Sequence, residues 1–185
     1  MTSSYTIGFM GTPEFAVPTL AALHEAGHRI GLVVTQPDKP RGRGRRVEPP
    51  PVKQAAVKLG LPVIQPPSLR DETALERLAA LKADVFVVVA YGQILRPNVL
   101  AMPRLGCINV HASLLPRYRG PAPIHWAVIN GETETGVTTM LMDKGLDTGD
   151  ILLAARERIA PDDTTGSLQH RLALLGAGLL LKTLD

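Results

Sequence analysis

The sequence predicts one three-layer α/β domain over residues 1–185: a mostly parallel sheet with an antiparallel edge, covered by helices on both faces. Three observations carry this. Strand-like runs alternate with helical periodicities through the first two thirds of the chain, as in parallel strands joined by crossover helices. The last strand candidates have no helix between them, which suits antiparallel pairing. Hydrophobic residues make up 45% of the chain and charged residues 20%, enough for a packed core and too apolar for disorder.

Thr6–Gly11 (TIGFMG) and Arg29–Thr35 (RIGLVVT) read as buried strands. Between them Phe15, Val17, Leu20, Leu23 and Ala26 recur at helical spacing, which predicts a helix from Pro13 to Gly27. Proline suits its first turn and glycine its stop. Further strands are expected at Pro62–Gln65, Asp84–Tyr91, Cys107–Ser113, Gly136–Met142 and Ile151–Arg156. Further helices are expected at Val52–Leu59, Glu72–Lys82, Pro123–Asn130 and Thr165–Leu184. Residues 37–67 hold eight of the sixteen prolines, so Pro37–Pro51 is expected to be a long exposed loop without regular structure.

Composition narrows the function classes. The longest apolar run, Val85–Tyr91, has seven residues, far short of a membrane span. The N-terminus lacks the early arginines and the apolar run of a signal peptide. A single cysteine, Cys107, excludes a disulfide framework and a cysteine-rich zinc site. A soluble cytoplasmic monomer is the expectation. Net charge is +3, and its distribution is uneven. Asp38–Glu48 (DKPRGRGRRVE) carries five basic and two acidic residues, the whole of that excess, so the rest of the chain sums to neutrality. Lys39, Arg41, Arg43, Arg45 and Arg46 either solvate a connecting loop or grip a polyanion through guanidinium N–H pairs.

Gly8-Phe-Met-Gly11-Thr-Pro13 sits where nucleotide-binding folds place a glycine fingerprint, but its spacing does not match and no P-loop lysine follows. Close strand–helix packing and an anion site both remain open there. The densest polar cluster in an apolar frame is Cys107-Ile-Asn109-Val-His111-Ala-Ser113-Leu-Leu-Pro116. Strand alternation puts Asn109, His111 and Ser113 on one face. Such groups are costly in a core without partners, and the carboxyl edge of an α/β sheet is where ligands bind. Met142-Asp-Lys-Gly-Leu-Asp147-Thr-Gly-Asp150 is a turn-rich loop that lacks the calcium-loop pattern. Asp143, and Asp150 with it, suit turn capping, while one aspartate facing His111 would orient the imidazole. His24, His28 and His170 are expected at the surface, and His125 on a helix face or a cleft rim. No grouping has metal-ligand spacing. Ser113 lacks the Gly-x-Ser-x-Gly elbow of serine hydrolases.

Gly8–Phe15 (GFMGTPEF), Thr35–Arg45 (TQPDKPRGRGR), Val88–Leu95 (VVAYGQIL), Asn109–Gly120 (NVHASLLPRYRG) and Gly136–Asp150 (GVTTMLMDKGLDTGD) together resemble the methionyl-tRNA formyltransferase family. The resemblance runs over nearly the whole chain. Asn-x-His with Ser-Leu-Leu-Pro is shared by the wider formyltetrahydrofolate-using enzymes, and the Arg/Gly loop is particular to the tRNA-directed branch. It implies a Rossmann-like fold and transfer of a formyl group from 10-formyltetrahydrofolate, as co-substrate, to the α-amine of methionyl initiator tRNA. It further implies Asn109, His111 and Asp147 as the catalytic trio, without a metal. Ser113, Leu114, Leu115 and Pro116 would line the folate site, with Gln93, Ile94 and Leu95 beside the pterin. The five basic residues would meet the tRNA, and the family's second, barrel-like domain would add to that contact. Rival expectations are a formyltetrahydrofolate hydrolase, a formyltransferase acting on a small amine or sugar nucleotide, and a non-catalytic RNA-binding module.

Overall fold

In the computed structural model, which describes residues 4–41 and 46–185, seven strands form one sheet. They are β1 (Thr6–Gly11), β2 (Arg29–Val34), β5 (Val63–Ile64), β6 (Val85–Val89), β7 (Cys107–His111), β8 (Glu134–Leu141) and β9 (Ile151–Arg158), with β3 (Lys39–Arg41) and β4 (Arg46–Glu48) forming a separate ribbon. The sheet order is β5-β2-β1-β6-β7-β8-β9. The first five strands in that order are mutually parallel, and β8 and β9 run antiparallel. This is the doubly wound sheet with an antiparallel edge that the patterning predicts.

Among the described residues six α-helices cover the sheet: α1 (Val17–Glu25), α2 (Pro51–Lys58), α3 (Glu72–Ala80), α4 (Pro97–Leu100), α5 (Pro123–Ile129) and α6 (Thr165–Leu184). The alternation of the central strands divides the core in two. Ile7, Phe9, Val85, Val87, Val89, Ile108 and Val110 face the layer of α1, α2, α5 and α6. Met10, Phe86, Val88 and Cys107 face the other way, toward Leu78 of α3 and Val99 of α4. Both faces of the central strands are thus apolar, which is why they read as continuous hydrophobic runs.

Several expectations need correction. Pro37–Pro51 is not irregular throughout: β3 and β4 pair antiparallel, Lys39 opposite Glu48 and Pro40 opposite Val47, and α2 already starts at Pro51. A two-stranded ribbon has an unpaired side on each strand, where a proline's missing N–H does no harm. Arg43 and Arg45 lie outside the described residues, as do the side chains of Arg41 and Arg46. The first helix opens as a 3-10 turn, Glu14–Ala16, and becomes α-helical at Val17. Pro18, which has no N–H to donate, falls in that first α-helical turn, where none is required. His28 is half-buried, stacked on Tyr5 with ring centroids 5.7 Å apart and accepting the Tyr5 N–H. Burial pulls its pKa down.

Gly8 and Gly11 are packing glycines. A Cβ at Gly8 would stand 2.6 Å from the Phe86 ring, and one at Gly11 would stand 2.9 Å from the Ala16 methyl. That geometry explains both residues without an anion. Among the described residues no helix is long and apolar enough to cross a membrane.

Candidate active site

The α3–α4 layer ends over Phe86 and Cys107. The next two residues on that face of β7 are Asn109 and His111, and they stand on the floor of a cavity of about 450 Å³. Its walls are the loop after β6 (residues 90–95), the segment leading into α5 (residues 120–125) and the loop after β8 (residues 142–147). This is the carboxyl-end crevice where open α/β sheets bind ligands.

Asp147 arrives from the β8–β9 loop and closes the trio. Its Oδ2 accepts the Gly120 N–H at 2.8 Å, and its Oδ1 accepts from Asn109 Nδ2 at 3.3 Å. Oδ2 also lies 3.6 Å from His111 Nδ1, with the two side chains only 11% and 9% exposed. Nδ1 is too far for a hydrogen bond at that distance, and the two groups form an ion pair only when the imidazole is doubly protonated. The other ring nitrogen, Nε2, is 2.8 Å from the Tyr118 carbonyl oxygen. A carbonyl only accepts, so Nε2 carries a proton, and Nδ1 is the nitrogen left beside Asp147.

The β8–β9 loop is held at its ends. Leu141 N–H donates to Asp150 O at 2.8 Å, and Met142 N–H donates to Cys107 O at 2.8 Å. A Cβ at Gly149 would fall 1.8 Å from Leu141 O, so only glycine fits that approach. Asp143 does cap a turn, accepting from Gly145 N and Thr148 Oγ1. Those bonds, the Thr148 hydroxyl foremost, draw its pKa down.

Three non-glycine residues lining the cavity have left-handed backbones: Ala90 (φ 47°), Ala122 (φ 57°) and Asp147 (φ 51°). Each costs on the order of 1–3 kcal/mol, and such strain tends to collect at functional sites. The walls are apolar, with Ile94 84% and Leu146 64% exposed at the mouth. Leu95 and Tyr91 are buried in the wall, where burial pushes the Tyr91 phenol up to about 12. Gln93 ties this wall to the preceding loop: its Oε1 accepts from Leu69 N, and its Nε2 donates to Pro66 O and Pro67 O.

The structure therefore brings together Asn109, His111, Asp147, Gln93, Ile94 and Leu95. Ser113, Leu114 and Pro116 lie elsewhere, on a second cavity with Tyr118 and Glu132. Ser113 Oγ donates to Tyr118 O, and Thr138 Oγ1 bridges Ser113 O and Leu115 N. His125 is on both a helix face and the cavity rim. Sequence reasoning missed Gly120 and Tyr118, whose contributions are a main-chain N–H and a main-chain carbonyl with no side-chain signature. It also missed Gln36 and Thr12, which reach the wall through side-chain contacts to the Tyr91 and Gly92 carbonyls.

This crevice, with an amide, an imidazole and a carboxylate on its floor, belongs to a formyl transferase: residues 6–184 match the sequence model of that family, and the chain is a member of it. Its curated relatives include the methionyl-tRNA formyltransferase of Pelotomaculum thermopropionicum, 60% identical over 96% of this chain, and that of Moorella thermoacetica, 58% identical over 96%. The chain spans 56% and 57% of those two proteins, a little over half the length of the relatives it matches. Among solved structures, the phosphoribosylglycinamide formyltransferase of Bacillus halodurans superposes with a TM-score of 0.78 at 20% identity, over 97% of this chain and 93% of that one. A formyltetrahydrofolate deformylase from Pseudomonas syringae gives 0.77 at 22%, over 98% and 60%. At that identity the superpositions show the shared fold.

Proposed function

We propose that this chain transfers a formyl group from 10-formyltetrahydrofolate to the α-amine of methionyl initiator tRNA. The observation that carries the reading is the convergence of Asn109, His111 and Asp147 at the end of an apolar-walled crevice, in a chain so similar to methionyl-tRNA formyltransferases. The apolar walls, with Ile94 and Leu95 on one side and Leu146 on the other, suit a flat heteroaromatic ring. Ser113–Pro116, which follows β7 and lines the second cavity, is tied to this site only indirectly: Ser113 shares the Tyr118 carbonyl with His111, and Leu115 N–H donates to Thr138 of β8.

The chemistry follows from the groups. The amine nitrogen bonds to the formyl carbon, and the C=O electrons move to oxygen. The resulting oxyanion needs donors already in place. Asn109 commits one Nδ2 hydrogen to Asp147 and has a second to give. With Nε2 held by Tyr118, His111 donates into the crevice only as the doubly protonated ring, with Asp147 as its counter-charge. Asp147 also accepts the proton that the attacking ammonium sheds. Collapse of the intermediate re-forms C=O and breaks the bond to the folate nitrogen, which leaves with the proton that Asp147 took from the amine.

For the acceptor, the sequence concentrates Lys39, Arg41, Arg43, Arg45 and Arg46 within eight residues, a density that suits phosphates better than a small amine. The decisive assay offers the chain charged initiator tRNA, water and free amines in parallel. Formylmethionyl-tRNA as the dominant product is expected. Comparable release of formate in water, or equal transfer to small amines, would replace this reading with the hydrolase or small-amine alternative.

A further inference from the structure

We infer that Tyr118 is a positioning residue that selects the tautomer of His111, and that Glu132 holds it in place. The carbonyl of Tyr118 takes His111 Nε2 at 2.8 Å and Ser113 Oγ at 3.3 Å, filling both its lone-pair directions. That carbonyl lies in the segment between Arg117 and Gly120, which has no regular structure to fix its direction. Its direction is fixed instead by the phenol of the same residue. Tyr118 OH donates to Glu132 Oε1 at 2.5 Å and accepts from Asn130 Nδ2 at 2.9 Å. Arg117 adds a guanidinium bond to the same Glu132 oxygen at 3.1 Å. Asn130 caps the C-terminus of α5, and the Glu132 N–H donates back to Ala127 O. The end of α5 thus grips the ring of Tyr118, and the backbone of Tyr118 grips the catalytic imidazole.

The tautomer matters because the two nitrogens of His111 have different neighbours. If the clamp loosens and the carbonyl rotates away, a neutral ring is free to place its proton on Nδ1, beside Asp147. The Nδ1 position that the clamp keeps open for the second proton is then already filled, and Nε2 becomes a bare acceptor that must itself be protonated before the ring carries its charge beside Asp147. The kinetic consequence rests on the formyl-transfer reading; the tautomer assignment does not.

The test uses the 185-residue chain with histidine labelled at its ring nitrogens. The unaltered protein should show His111 protonated at Nε2. Tyr118→Phe keeps the carbonyl and removes the clamp, and Glu132→Ala removes its anchor. Each should bring the Nδ1–H form to about a tenth or more of His111, and lower kcat for formyl transfer about tenfold, with KM for the folate within about twofold. Glu132→Gln retains an acceptor oxygen and should restore both readouts to within about twofold of the unaltered chain. Unchanged His111 ring signals in Tyr118→Phe and Glu132→Ala would overturn the proposal, as would a loss confined to KM. If Tyr118→Phe does not fold, the Glu132 pair decides alone. Ring signals that shift as expected in a chain forming no formylated product would sink the transfer reading and leave the tautomer assignment standing.

Discussion

The Gln36 side-chain amide joins the root of the basic ribbon to the wall of the candidate crevice, its Nε2 donating to Gly92 O at 3.0 Å and to Tyr91 O at 3.3 Å. Its Oε1 accepts from Lys39 Nζ at 2.7 Å, and its backbone carbonyl accepts from Gln65 Nε2. Gly92 has φ +84°, a backbone that favours glycine, and a Cβ there would stand 2.9 Å from Gln36 Nε2, so a larger residue would displace the amide. Gln36→Leu removes both donors and should weaken binding of tetrahydrofolate about 5- to 10-fold, the scale of one or two net hydrogen bonds. Calorimetric titration checks this, and an unchanged affinity would mean that the 90–95 wall holds its shape without Gln36.

The proposed catalytic trio makes the sharpest kinetic prediction. His111→Ala and Asp147→Asn should each lower formyl transfer by roughly 100-fold or more with the fold intact, since oxyanion and acid–base contributions have that size. Asparagine is the appropriate test at Asp147 because it tolerates the left-handed backbone found there. Asn109→Asp should be slower than Asn109→Ala, because a carboxylate repels the developing oxyanion. Single-turnover assays give the order, and the reverse order at Asn109 would mean that its amide does not face the formyl oxygen.

Salt dependence tests the basic ribbon. Five cations, at about 0.7 counterions released per single-strand phosphate, limit the slope of log affinity for tRNA against log salt to roughly −3.5. Neutralising Arg41, Arg43, Arg45 and Arg46 together, with Lys39 kept because it holds the Gln36 amide, should flatten the slope and leave tetrahydrofolate affinity unchanged. Tight, salt-insensitive tRNA binding that survives neutralisation would remove the ribbon from the interface.

Acid stability is predicted by Asp163, whose side chain is 6% exposed. It is held well below the usual carboxylate range by the Arg171 guanidinium first, then by the Ala160 N–H and the Ser167 hydroxyl. A depressed folded-state pKa contributes stability that is present above the unfolded value and lost as pH falls toward the folded one. The melting-temperature advantage of the unaltered chain over Asp163→Asn should therefore hold constant above about pH 5 and shrink below about pH 4. Thermal melts across that range decide it, and an advantage that persists at pH 2 would mean that the carboxylate's charge is not its source.

The parallel part of the sheet was legible because its central strands are buried on both faces and read as continuous apolar runs. Six of the expected strands differ from the observed ones only at their ends, and α6 begins and ends where its periodicity and its Thr164–Ser167 capping box place it. The β3–β4 ribbon was not legible, because its pairing is local backbone pairing through a Pro- and Gly-rich segment with no apolar alternation. The short α4 was hidden for a similar reason: one turn is too brief to show a period. At the site, Asn109 and His111 announced themselves as polar residues at period two in an apolar run. By residue pattern Asp147 was one of three loop aspartates; the family resemblance singled it out, and its contacts with Gly120 and Asn109 set it apart from Asp143.

The anchoring of the β8–β9 loop makes its length the constrained quantity. Both flanking strands are fixed in register, Met140 opposite Ile151 across β8 and β9 and Asn109 opposite Met140 across β7 and β8. Removing one residue between Leu141 and Ile151 would either drag Asp147 off the crevice floor or slip β9 by one position, turning each of its side chains to the other face. Side-chain replacements within this stretch are thus expected to be graded in their effect, whereas a single-residue deletion should abolish turnover outright even where circular dichroism finds the sheet still formed. The crossing works as a ruler, and in a homologous chain its residue count would be a better guide to a working carboxylate than its composition.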